Sequence, residues 1–236
     1  MRLRKQIFVL LFGIISLNAS AQILGTFFES LILDGFYYVL IETPADPNWR
    51  STTFASYPYD LKGSGLFLPP NLKGDQSRVT LNWQIQSSAE EVLGVYGQVR
   101  YSPISLLSID AYRLQFFDGE RPEGTENLNL TALALTYNRW RRSKFHGWWG
   151  LGALWVDADE NATTGSFNFG GTFYFLDPVS VYGESQIGLL DGDLFNITQF
   201  RLQLHLRRYL VYGGYHRINI NDQLINSWVI GGGVYF

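Results

Sequence analysis

Two neighbouring stretches of the chain carry side chains that could do chemistry together. Tyr182, Glu184 and Gln186 recur at every second position of one stretch, and Arg201, Gln203 and His205 do so in the next. A spacing of two puts each set on one face of a strand. If the strands form a hairpin closed by a loop from Asp191 to Leu194, Glu184 stands opposite Arg201 and Tyr182 opposite Gln203. Opposed side chains lie about 5 Å apart at Cβ, within reach of an ion pair. Arg78, Asn82, Gln84 and Arg217 add polar groups on separate strands. Fully paired, such a set fills a narrow interior, because an isolated buried charge is costly and a paired one is tolerated. Left hydrated, it forms a constriction that selects small polar solutes.

Covalent chemistry has less support. The serines near a histidine are Ser143 by His146 in sequence and Ser227 by His216 across a hairpin. Nucleophilic catalysis needs the two within about 3 Å and a third group to orient the base. Ser143 and His146 straddle a turn, and alternation puts Ser227 in the interior with Arg217 and His216 on the other face. No catalytic residue is therefore assigned, and His205 reads as an interior hydrogen-bonding group. Asp157, Asp159, Glu160 and Asn161 offer oxygen ligands but lack the glycine and distal Glu of a helix-loop-helix calcium site. The chain has no cysteine, which removes disulfides and thiolate metal sites. No metal or cofactor is indicated.

The elements that must position these groups follow a period of two. From Ser77 onward, Arg78, Thr80, Asn82, Gln84 and Gln86 interleave with Val79, Leu81, Trp83 and Ile85. Phe167, Phe169, Phe173 and Phe175 likewise alternate with polar or small residues, and Phe200, Leu202, Leu204 and Leu206 with Arg201, Gln203 and His205. Turn residues divide the chain into ten strands near 77–87, 91–101, 105–117, 127–139, 145–157, 163–176, 179–190, 194–208, 209–220 and 224–236. Each is about the 9 to 11 residues with which a tilted strand crosses a bilayer. The connections alternate between short turns and longer acidic loops. In 105–117, Leu107, Ile109 and Ala111 are out of phase with Tyr112, Leu114 and Phe116, which predicts a bulge; 127–139 has the same ambiguity. Trp83, Trp140, Trp148, Trp149, Trp155 and Trp228 fall near strand ends or turns, as the residues of an interfacial girdle do.

Composition bounds the alternatives. The 236 residues are 46% hydrophobic, 16% aromatic and only 17% charged, whereas soluble chains average about 25% charged. Residues 1–21 combine Arg2, Arg4 and Lys5, an apolar run from Ile7 to Leu17 and the exit Asn18-Ala19-Ser20-Ala21, the pattern of a cleaved signal peptide. Its loss takes three cations and moves the formal charge from −3 to −6. An acidic exported chain is a poor nucleic-acid partner. Residues 22–76 fit the alternation poorly. Ile23, Leu24, Phe27, Phe28, Leu31 and Ile32 read as a helix stopped at Asp34-Gly35 or as a hairpin turning there. The segment contributes either no crossing, lying in the lumen or periplasm, or two, at 36–43 and 51–58.

The final stretch sets Trp228, Ile230, Gly232, Val234 and the terminal Phe236 on one face, with Gly231 and Gly233 on the other. Here the chain resembles bacterial outer-membrane β-barrel proteins, whose last strand commonly alternates apolar residues and ends in an aromatic. The resemblance implies an all-β fold, an antiparallel transmembrane β-barrel of about ten strands over 77–236, or twelve with the two N-terminal segments. It implies location in the bacterial outer membrane, contact with outer-membrane lipid, and recognition of Trp228, Ile230, Val234 and Phe236 by the barrel-assembly machinery. The function expected is a narrow pore for small polar solutes or a closed structural and surface-interaction barrel. An outer-membrane lipid-modifying enzyme and a soluble secreted β-sandwich are the alternatives.

Overall fold

The alternating stretches become strands because each must show one face to the interior and the other to the outside. The computed structural model describes residues 53–60, 65–68, 72–88, 92–117, 128–157, 161–190, 192–220 and 223–236. The signal peptide and the helix-or-hairpin reading of 22–35 lie outside these residues, as does the possible strand at 36–43. Two short strands, β1 (Thr53–Phe54) and β2 (Phe67–Leu68), precede ten long ones. These are β3 (Arg78–Ser88), β4 (Leu93–Ile104), β5 (Leu107–Phe117), β6 (Asn129–Arg142), β7 (Phe145–Asp157), β8 (Ala162–Leu176), β9 (Val179–Leu190), β10 (Asp193–Leu206), β11 (Tyr209–Ile220) and β12 (Gln223–Tyr235).

The long strands pair antiparallel in chain order, and β12 returns to β3 to close a ten-stranded barrel. Closure leaves no strand edge unpaired, which is the condition for a sheet to cross hydrocarbon. The turns at 105–106, 143–144, 177–178 and 207–208 mark one end, called here the turn end; the remaining connections mark the loop end. The outer wall is apolar and exposed: Trp228 is 73% and Ile230 67% accessible, and Trp83, Ile85, Phe173, Phe200, Leu202 and Leu206 accompany them. Gln84 and Arg201, by contrast, are 1% accessible inside. An apolar exterior around a polar interior inverts the order of a water-soluble sandwich and is the signature of a transmembrane barrel.

The twelve-strand alternative is corrected at 51–58. Thr53–Phe54 pairs with Phe67–Leu68 and Phe54 with Asp75, so this segment makes its own small sheet instead of joining the barrel wall. Phe54, Ala55, Phe67 and Leu68 are buried and mix apolar residues without the two-sided alternation that a wall strand needs. The bulge expected within 105–117 is also absent. Ser108, Asp110, Tyr112, Leu114 and Phe116 all turn inward in one unbroken phase, because the interior near the loop end is itself apolar. The ambiguity expected in 127–139 is resolved by such an irregularity in β6, at Tyr137/Trp140 against β7; further register shifts occur at Tyr101/Ile104 against β5 and at Tyr174/Leu176 against β9.

Candidate functional site

The candidate site is the lumen, which has three tiers. At the loop end, inward side chains of six strands meet: Leu114, Leu130, Leu154, Phe195 and Ile218 are fully buried, with Phe116, Val156, Leu190 and Ile220 beside them. Their alternation partners outside include Arg113, Thr131 and Arg217, so the polarity of the wall reverses here. That reversal misplaces one expected residue. Arg217 faces outward, and His216 points in, with Nδ1 2.8 Å from Gln86 Oε1. Leu210, Tyr212, Ile218 and Ile220 accompany His216 into the interior, so the inward face of β11 is largely apolar.

The middle tier holds the charges. Arg100 Nε donates to Asp110 Oδ1 at 2.5 Å, Thr136 donates to Asp110 Oδ2 at 2.8 Å, and the Arg100 guanidinium lies 4.6 Å from the Trp148 ring centre. Trp148 is thus a lumenal residue at 0% accessibility and not part of a girdle. Arg201 sits among the rings of Tyr212, Tyr182 and Tyr96, at 4.6, 5.0 and 5.5 Å. Aromatic faces stabilise a desolvated guanidinium by about 2 kcal/mol or more in such sites.

The expected Glu184–Arg201 pair does not form directly. The turn between β9 and β10 is tighter than a loop ending at Leu194: Leu190 pairs with Asp193, and Gly192 takes a φ of +97°, which glycine adopts without strain. The register therefore moves by two. Glu184 faces Gln199, Tyr182 faces Arg201, and Ser180 faces Gln203. Gln199 links the two charges, accepting from Arg201 and donating to Glu184 at 3.1 Å, while the Tyr182 hydroxyl also donates to Glu184. Asn82 donates to Gln98 at 3.1 Å, Tyr112 to Gln186 at 2.5 Å and Gln186 to Ser166 at 2.9 Å. Between these groups lies a cavity of about 20 Å³ lined by Gln98, Asp110, Glu184 and His216, room for about one water molecule.

The turn end is closed by the N-terminal segment. Arg78 donates to the Ala55 carbonyl and lies 5.5 Å from the Phe54 ring and 5.2 Å from that of Tyr235. Phe67 packs on His146 at 4.8 Å. Tyr59 donates to Val179 O at 2.5 Å and packs edge-on to Tyr174 and His205. His205 Nε2 is 2.7 Å from Ser180 Oγ, a serine–histidine contact hidden in sequence because it arises across strands. Ser180 directs a hydrogen bond to Gln203 Oε1, the His205 Nδ1 partner is the Tyr235 hydroxyl at 3.3 Å, and both residues are buried under Tyr59. The contact lies within the buried packing of the turn end.

Arg78, Asn82, Gln84, Tyr182, Glu184, Arg201, Gln203 and His205 all project inward, across the middle and turn-end tiers. Sequence reasoning missed Arg100, Asp110, Gln86, Gln199 and His216. Even-numbered phase along β4 and β5 identifies the first two once the β5 bulge is discarded. Trp228, Ile230, Val234 and Phe236 share the outer face of the wall, Val234 less exposed than the others.

No family model matches the chain, and no curated protein matches it. Among solved structures, it is similar to the N-terminal β-barrel domain of OprF from Pseudomonas aeruginosa, 13% identical over 68% of this chain and 98% of that one, TM-score 0.35. It is similar to the outer membrane protein Ail from Yersinia pestis, 12% identical over 68% and 100%, TM-score 0.39. A porin is 11% identical over 80% of this chain and 73% of its own, TM-score 0.31. What makes the chain an antiparallel ten-stranded barrel is its own unbroken pairing ladder from β3 to β12 and back.

Proposed function

We propose that the protein is a closed barrel of the bacterial outer membrane that works through its wall and loops and does not conduct solutes. The observation that carries this reading is the filled lumen. Apolar side chains occupy the loop end, a hydrogen-bonded polar layer occupies the middle, and residues 53–60 and 65–68 occupy the turn end. Outer-membrane location is supported by a closed all-strand wall with an exposed apolar belt, the construction that bacterial outer membranes receive. The belt makes membrane lipid its surrounding partner, and the face of Trp228, Ile230, Val234 and Phe236 is the segment offered to assembly machinery.

A liposome-swelling assay with the refolded protein and glycine or arabinose tests the reading. Swelling no faster than that of empty liposomes is expected. Swelling that slows on Glu184→Gln or Arg201→Ala would replace this reading with a narrow polar pore.

A further inference from the structure

We infer that the outer wall of β9 to β12 holds a phosphate-bearing membrane lipid, with Arg217 on the phosphate and a groove at Gly213 on an acyl chain. The inference rests on the reading that this wall faces lipid. A row of polar side chains crosses the wall: Ser185 pairs with Thr198, Thr198 with Arg217, and Arg217 with Asn226. Outward positions on these strands are otherwise mostly apolar, so the row interrupts the belt. Its members are held in place by one another and by neighbouring rows. Ser185 Oγ is 3.1 Å from Thr198 Oγ1, Thr198 donates to Asn196 at 2.6 Å, and Tyr215 donates to Asn226 Oδ1 at 2.7 Å. Arg217 is exposed, and among the described residues it has no ion-pair partner. The row itself contains no carboxylate.

The depth of the row fits a headgroup. Arg217 is the ninth residue counted from Tyr209, where β11 begins, and a tilted strand crosses hydrocarbon in about 9 to 11 residues. The adjacent row toward the turn end is Phe200, Tyr215 and Trp228, with the last two rings edge-to-face at 5.6 Å. Tyrosine and tryptophan favour the boundary between hydrocarbon and headgroups. A guanidinium there meets phosphate bidentately, with better geometry than a lysine would have.

The groove supplies the second half of the site. Val179, Leu202, Leu204, Val211, Gly213 and Ile230 surround an open apolar depression of about 320 Å³. It exists because Gly213 puts no side chain on the wall; a Cβ there would touch only Val229 O, at 3.7 Å. Gly213 and Arg217 share a face of β11 four residues apart, about 13 Å along the strand. One amphiphile can therefore reach both, its phosphate above the aromatic row and its chain below.

The test is native mass spectrometry of the full chain refolded in a neutral maltoside micelle, titrated with dioleoyl phosphatidic acid. Wild type should retain one lipid, and dioleoylglycerol at the same concentration should not be retained. Arg217→Gln should weaken retention about tenfold, the loss of one charged hydrogen-bonding group. Gly213→Leu, which the wall accommodates, should weaken it by filling the groove. Closed-barrel gel mobility before boiling shows that both variants are folded. Retention equal to wild type in both variants overturns the site, as does an equal loss in Arg113→Gln on another part of the wall. Displacement by equimolar inorganic phosphate would make it a bare anion site and also overturn the inference. A chain that stays dissolved without detergent would refute the membrane reading itself, a failure distinct from these.

Discussion

The two ends of the lumen are closed in different ways. The loop end is sealed by the wall's own side chains, among them Leu114, Leu130, Leu154 and Phe195, and so cannot open without deforming the barrel. The turn end is sealed by a separate segment, whose attachments are the Arg78–Ala55 bond, the Tyr59–Val179 bond and the packing of Phe54 and Phe67. A closure built from the wall belongs to the barrel's stability. A closure built from a tethered segment can be lost while the barrel stands. The polar middle tier lies between them and is protected by both.

The largest effect is expected in that middle tier. Asp110→Ala leaves the Arg100 guanidinium buried without its carboxylate and should destabilise the barrel by about 3–5 kcal/mol, read by urea unfolding from lipid vesicles. Arg100→Met added to it should recover most of the loss, since an apolar replacement of the whole pair is often neutral. At the loop end, Leu154→Ala should cost about 2–5 kcal/mol in the same measurement, because the fully buried side chain is hemmed in by other strands. Global unfolding should report both.

The strands themselves were legible in the sequence because lipid keeps most of the outer belt apolar. Phe200, Leu202, Leu204 and Leu206 cannot be polar, and ten such runs fix ten strands within a few residues of their ends. The interior follows no comparable rule. Where its filling is apolar, as at Leu114 and Phe116 in β5 or Ile218 and Ile220 in β11, period two survives but polarity no longer distinguishes the faces. Hence the false bulge and the misplaced Arg217. The β9–β10 register depended on a turn of residues 191–192, and a two-residue error there moves every cross-strand partner. The turn-end closure was illegible for another reason: Phe54 and Phe67 belong to strands of two residues each, too short to show a period.

Smaller effects should appear at the turn end and leave global unfolding nearly unchanged. Arg78→Met removes the donor to Ala55 O and should weaken docking of residues 53–75 by about 1–3 kcal/mol. The measurement is trypsin cleavage at the exposed Lys73, which should speed up while the barrel stays closed on a gel. A mild alkaline release should follow from Tyr59, whose hydroxyl is pushed up to about 12 by burial first and by the Asp177 carboxylate second. The folded value exceeds the free value of about 10, so the docked segment favours the neutral phenol. Docking is fully present below pH 10 and weakens as the pH rises toward 12. Subtilisin susceptibility of the segment should rise across that window in wild type, and Tyr59→Phe should not show the transition.

The most direct measurement is single-channel conductance in planar bilayers, comparing the protein with a form lacking residues 53–75. Both should be electrically silent, because the apolar tier at the loop end closes the lumen independently of the tethered segment. Discrete open steps in the intact protein that shift on Glu184→Gln would contradict a filled lumen.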